Sequence, residues 1–94
     1  MPYTVARHRV GDYPRWRRAF EENADAREEA GSRGGHIFRN DEDHDDVTVF
    51  LAWEDLERAR SYYGSDSVAE EWEEGGVEGE PELLFLEEMG RPNH

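Results

Sequence analysis

Three basic side chains stand where an acidic, otherwise regular chain has least reason to put them. His8 sits in the middle of Tyr3–Val10 among apolar neighbours, Arg27 falls on the apolar stripe of a helical stretch, and Arg39 follows Phe38. An imidazole titrates near neutrality, which suits proton abstraction from a phenol or an enol. The other reading of His8 is a core histidine hydrogen-bonded between strand and helix. A guanidinium on an apolar stripe needs a partner: Arg27 can hold a substrate carboxylate or enolate, anchor a carboxylate of the chain such as Glu54, or cap carbonyls near the helix end. Arg39 can clamp an anion at a cavity mouth or form an ion pair between subunits. His8, Arg27 and Arg39 are therefore the candidate catalytic residues. Tyr13, Trp16, Trp53 and Tyr63 are candidate walls for a flat aromatic ligand, and the plain alternative is that they are core. Trp53 is the best of these, since it ends one strand where the next helix begins. Tyr62-Tyr63 lies at a break in the second helical region, where a cavity entrance can form.

Other chemistries lack their residues. The chain has no cysteine, which removes disulfides and thiolate metal sites. There is no Gly-rich phosphate loop, nucleophile elbow or Cys/His cluster. The run Asp41-Glu42-Asp43-His44-Asp45-Asp46 begins like a calcium loop, but it lacks glycine at the sixth position and has Ala52 where the twelfth-position glutamate belongs. It reads as a solvated hairpin tip, with His44 a bystander and no metal site.

Charge sets the class of partner. Twenty-four acids face eleven bases, all of them Arg, for a net charge of −13. Such a surface disfavours nucleic acid, whose phosphates require cationic groups. Disorder is one reading of high charge, but eleven aromatics at periodic positions oppose it. Adaptation to high intracellular salt, a halophilic source, accounts for the acidity better, because screening suppresses the self-repulsion. No apolar run approaches the roughly 20 residues of a membrane span, and Met1-Pro2-Tyr3-Thr4 lacks the features of a signal peptide. The expectation is a cytoplasmic protein of one domain, residues 1–94.

The elements that must position these residues follow from periodicity. Tyr3–Val10 reads as a strand, Asp12 as an N-cap, and Tyr13 to Ala30 as one helix ended by Gly31. Ser32–Gly35 reads as a turn, His36–Arg39 as a short strand and Val47–Trp53 as its hairpin partner. Leu56, Ala59 and Tyr63 mark a further helix; Gly64-Ser65 interrupts it, and Asp66 or Ser67 caps another through Val68, Ala69 and Trp72. Gly75–Gly79 reads as a flexible link before a last strand, Leu83–Leu86. Two βαβ halves with right-handed crossovers give a ferredoxin-like βαββαβ fold of the α+β class, a four-stranded antiparallel sheet with its helices on one face. Val47–Trp53 carries no charge on either of its faces, so the second face also needs cover. Left bare it would expose on the order of several hundred Å² of apolar surface. A homodimer through the sheet face removes that surface from water.

Val5–Val10, Asp12-Tyr13 with Trp16 and Phe20, Gly31, Phe38-Arg39, Val47–Val49, Trp53-Glu54-Asp55, Ala59 and Gly76-Val77 together resemble the dimeric α+β barrel superfamily. This includes antibiotic-biosynthesis-monooxygenase-like and small polyketide-cyclase-like proteins, and the resemblance spans almost the whole chain. It implies a dimeric α+β barrel with an aromatic-lined cavity. It also implies activity as a cofactor-independent monooxygenase or cyclase on a small aromatic or polyketide-like molecule. His8 would be the base or polar anchor, Arg27 and Arg39 the anion stabilisers, and Trp16 and Trp53 the walls. Haem degradation occurs in the superfamily, but its usual histidine ligand comes from the second helical region, and no histidine lies between His44 and His94. The implied cofactor is therefore none. The rival reading is a non-catalytic dimeric ligand-binding or stress-associated protein whose barrel is filled by its own side chains.

Overall fold

In the computed structural model, which describes residues 1–94, Tyr3–Val10 forms β1. Thr4, Ala6, His8 and Val10 are buried on one face while Tyr3, Val5, Arg7 and Arg9 lie on the other, the alternation of a strand covered on one side. Asp12 caps α1 (Tyr13–Glu22), its Oδ1 accepting the Arg15 N–H at 3.1 Å, with Pro14 in the first turn.

The single helix expected over 13–30 is two. α1 gives way at Asn23, and α2 runs Ala24–Glu29. The Asn23 side chain supplies the reason. Its amide donates to Tyr62 OH at 2.7 Å and to Glu71 Oε1 at 3.0 Å, and its Oδ1 accepts from Ser67 Oγ at 2.9 Å. Those long-range bonds hold the residue at φ −94°, ψ 9°, where the helix bends. Gly31 follows α2 with φ +109°, ending it as expected.

β2 is Ser32–Arg39, not His36–Arg39. The segment expected to be a turn is the bulged start of this strand: Ser32 pairs with Trp53 and Gly35 with Leu51, one residue more on β2 than on its partner. Gly34 takes φ +86° in the bulge, and at Gly35 an added Cβ would run into the Phe50 carbonyl. β3 (Asp46–Trp53) buries Val47, Val49, Leu51 and Trp53 beneath the helices. α3 (Leu56–Tyr63) starts at Asp55, which accepts from Arg58 N–H at 2.8 Å. α4 (Asp66–Glu74) has Ser65 in its cap position rather than Asp66 or Ser67; Ser65 Oγ donates to the Tyr62 carbonyl at 2.6 Å and closes the joint between the two helices.

β4 is longer than its apolar run, Val77–Leu86. Val77 and Glu78 pair with Val10 and Arg9, and Glu82–Leu86 with Arg7–Tyr3, around a bulge at 79–81. The residues expected as a flexible link thus enter the ladder. Pro81 is tolerated because the bulge of an edge strand asks no N–H of it. The strand order is β2-β3-β1-β4 with every pairing antiparallel, the ferredoxin-like arrangement read from the sequence. One cluster of Val10, Trp16, Val47, Val49, Leu51, Trp53 and Val68 joins sheet to helices. Val5, Phe50 and the half-exposed Phe38 and Leu84 lie on the uncovered face. No helix is long and apolar enough to cross a membrane.

Replacing Gly35 by Ala must move the β2–β3 backbones apart and should destabilise the fold by about 1–3 kcal/mol, the range for overpacking. Gly34→Ala meets no atom and carries only the left-handed penalty of about 1–2 kcal/mol. Urea unfolding of both variants checks this; a Gly35→Ala protein as stable as the parent would contradict the close approach.

Candidate functional site

A cleft of about 750 Å³ opens between α1/α2 and the edge strand β2. The β2 bulge forms its outer wall, where Gly34 and Gly35 present backbone without side chains. Phe20 and Ile37 supply apolar surface, Val49 and Leu51 reach its base, and Phe38 borders it from the strand edge with its ring against Phe50 on the other sheet face. Exposed Arg17 and Arg33 stand at the rim, held by Glu21 and Glu54 respectively.

Arg27 is the floor. Its side chain is 8% exposed, and its Nη1 donates to Oε1 of Glu71, itself 5% exposed, at 3.0 Å. The partner is therefore Glu71 of α4 and not Glu54, which is taken by Arg33 and Arg58. Glu71 also receives the Asn23 amide, yet burial outweighs these partners and pushes its pKa up. The Arg27 guanidinium carbon lies 3.6 Å from the Phe20 ring centroid, and Phe20 stacks in turn on Trp16 at 5.2 Å. Three flat groups are thus layered, with Phe20 held between the buried Trp16 ring and the cation.

Phe20 and Arg27 also separate the cleft from the interior. Behind them lies a space of about 10 Å³, room for no more than one water, bounded by His8, Tyr62, Tyr63, Glu71 and Trp72 among others. His8 is 4% exposed and neither ring nitrogen makes a hydrogen bond. The hydrogen-bonded core histidine is thus not what this structure holds. Desolvation brings the His8 pKa down to about 4; the nearby Val47 backbone, outside hydrogen-bond geometry, opposes that shift only in part. The imidazole is neutral at pH 7. Trp16 Nε1, on a ring 5.9 Å from that of His8, is likewise buried without a partner.

The residues singled out from the sequence divide between several places. Arg27 alone of the seven lines the cleft, while His8, Arg27 and Tyr63 meet at the interior space. Trp53 is fully buried and donates from Nε1 to Thr4 Oγ1 at 2.8 Å; Thr4 Oγ1 and Tyr63 OH are 3.3 Å apart. That network closes the core around Trp53, and burial pushes the Tyr63 pKa up to about 12. Trp16 is the innermost layer of the stack. Arg39 lies over the Tyr13 ring at 4.4 Å and donates to the His44 carbonyl at 3.1 Å, away from the cleft. In the acidic hairpin, Asp43 and Asp46 are bonded to Arg9 and Arg7, and Arg7 lowers the Asp46 pKa to about 2. No group of three or more acids and histidines gathers to hold a metal.

Glu71, Asn23 and Phe20 carry the site without having been singled out as site residues. Glu71 was legible: with Val68 and Trp72 it falls at i, i+3, i+4 on the buried face of α4, an acid as out of place there as Arg27 is on its own stripe. Nothing local marks Asn23.

No family model matches the chain, and no curated protein matches it in sequence. The fold is shared with solved structures. A candidate antibiotic biosynthesis monooxygenase from Bordetella bronchiseptica superposes with a TM-score of 0.80 at 15% identity, over 94% of this chain and 96% of that one. SnoaB from Streptomyces nogalater, described as a cofactor-independent oxygenase, gives 0.77 at 12% identity over 99% and 97%. MhuD, solved as a mutant with two manganese protoporphyrin IX molecules per active site, gives 0.73 at 19% over the whole of both chains. The fold of the antibiotic biosynthesis monooxygenase-like proteins, read from the sequence as a resemblance, is thus the fold of this chain.

The His8 environment makes stability depend on pH. In the unfolded chain the imidazole takes up its proton near pH 6.5, in the native protein only near pH 4. Between those values the unfolded state binds more protons, so stability rises with pH, by on the order of 3 kcal/mol in total, and is lost as the pH falls from 6.5 to 4. Urea unfolding at pH 7 and pH 5 should show the difference, and His8→Leu should reduce it. A His8 resonance titrating near 6.5 in the folded protein would refute this environment.

Proposed function

We propose that the protein is a cytoplasmic homodimer that binds a small aromatic or polyketide-like molecule in the α1/α2–β2 cleft and acts on it as a cofactor-independent monooxygenase or cyclase. The observation that carries the reading is the cleft. Its 750 Å³ falls in the range of small-molecule sites, and its mixed polar and apolar lining includes a single buried guanidinium. The fold it is built on is one on which SnoaB is described as a cofactor-independent oxygenase. A phenolic or enolic ligand needs little from such a protein, since its anion reacts with dioxygen directly. The chain supplies a cation beside the developing oxyanion in Arg27 and, relayed through the one water that the interior space behind the Phe20–Arg27 layer admits, a neutral proton acceptor in His8. A pKa of about 4 makes His8 a weak base but keeps it unprotonated and ready to accept at pH 7. No residue of α3 or α4 is a histidine, which leaves the haem branch without its ligand.

A second reading has its own support. The enclosed interior holds only about 10 Å³, so a protein whose core is simply full, and whose cleft binds without turnover, fits the same structure. An anthrone as probe separates the two by oxygen uptake. Uptake that depends on the protein, that Ala24→Trp abolishes by filling the cleft from an exposed position, and that His8→Leu lowers by about 10²-fold or more supports catalysis there. Binding of the anthrone without uptake supports the second reading. Uptake unaffected by Ala24→Trp would remove the cleft from the mechanism.

The homodimer rests on the uncovered sheet face. Val5, Phe50 and Leu84 form its apolar centre, with the Arg7–Asp46 pair toward one end. Burying apolar surface at about 25 cal/mol per Å² outweighs what exposed ion pairs contribute. Sedimentation should give twice the 11.0 kDa protomer mass, and Phe50→Glu should shift it to the protomer. A parent protein that sediments as a clean monomer would overturn the pairing.

A further inference from the structure

We propose that the ligand of the cleft is a flat aromatic carboxylate, its acid group taken by the unused donors of Arg27 and its ring laid against Phe20 and Ile37. This rests on the cleft reading above and narrows it from aromatic molecules in general to anionic ones. Three observations carry it.

The first is the state of Arg27. Its side chain is more than nine-tenths buried, yet only Nη1 is used within the chain, on Glu71; Nε and Nη2 make no hydrogen bond to the protein. A guanidinium so placed keeps an adjacent pair of parallel donors, the fork that matches a carboxylate in two bonds. The second is rigidity. Phe20 behind it, Trp16 behind Phe20 and Glu71 at its side fix the plane of the guanidinium. A ligand therefore meets a preset group and need not order a flexible one. The third is charge. Three arginines and one glutamate line the cleft, in a protein with eleven bases and twenty-four acids. Arg17 and Arg33 are already paired with Glu21 and Glu54 at the rim, so the cation that a ligand meets inside the cleft is Arg27, whose free donors face less water than an exposed arginine's would. Glu71 does not cancel it from the ligand's side, because its bonded oxygen faces Asn23 and Tyr62 as well as Arg27.

Calorimetry with 1-hydroxy-2-naphthoate and its uncharged amide, 1-hydroxy-2-naphthamide, tests this. The two differ in charge and hardly in shape. The parent protein should bind the acid at least about tenfold more tightly than the amide, the margin of a charge-assisted pair over a neutral one. Arg27→Gln alone would strand a buried Glu71, so it is made together with Glu71→Gln; in that double variant the preference should fall to about threefold or less. Arg17→Gln with Arg33→Gln changes only exposed rim groups and keeps the fold in any case; it should weaken the acid severalfold and leave the amide unchanged. Equal binding of acid and amide, both blocked by Ala24→Trp, overturns the anionic ligand and leaves the cleft reading standing. A preference that survives both double variants overturns the role of the arginines. Failure of both probes to bind at millimolar concentration overturns the cleft reading and this inference with it.

Discussion

The buried pair Arg27–Glu71 is the constraint around which the helical layer is arranged. Both side chains are more than nine-tenths buried, and they meet at 3.0 Å between α2 and α4. Two charges taken from water hold together only where further hydrogen bonds complete them, and losing one partner of such a pair costs about 3–5 kcal/mol. Asn23 and Tyr62 complete this one, and Ser67 fixes Asn23. The break between α1 and α2 is a consequence: a continuous helix through 23 would carry the asparagine amide away from α3 and α4. The same break directs α2 so that Arg27 forms the floor of a cleft instead of its rim. A polar network worth little in net stability thus decides where the cleft opens and which side chain forms its floor.

The sheet answers a different demand. β3 is apolar on both faces, and the helices take one of them through Val47, Val49, Leu51 and Trp53. Edge strands β2 and β4 each open with a bulge, at Ser32–Gly35 and at 79–81. At β4 the bulge accommodates a proline. At β2 it places two glycines beside α2, where side chains would otherwise fill the cleft. The irregularity of the edge and the existence of the cleft are one fact.

What the sequence made legible follows from period and from caps. The strand and helix order, the antiparallel sheet, the cap at Asp12 and the displaced Arg27 all came from local patterns. The misses came from contacts distant in the chain. Asn23 is unremarkable in sequence because its three partners lie 39 to 48 residues away. Ser32–Gly35 and 77–79 looked like loops because glycine has low strand propensity, yet their neighbours β3 and β1 recruited them into the ladder. Glu54 was a reasonable partner for Arg27 only until α4 was placed; Glu71, three residues from Val68 on a buried face, is the acid whose misfit matches.

The same logic of misfit distinguishes the two ends of β1. Thr4 and His8 point to the same face, four residues apart, and both lie under the helices. Thr4 is satisfied: Trp53 donates to it and Tyr63 shares its hydroxyl. That end of the core is closed, and each of its aromatics is accounted for by packing and hydrogen bonding. His8 has nothing on either nitrogen, and Trp16 beside it has nothing on its own. Each such group costs about 1–3 kcal/mol in a fold that elsewhere completes even a buried ion pair. Folds keep unrecovered terms of this size where a site needs them more than the core does. Trp16 is also the innermost layer of the stack that ends in Arg27. The uncompensated end of β1 and the Arg27 floor of the cleft are therefore two sides of one wall, which Phe20 and Arg27 form between them.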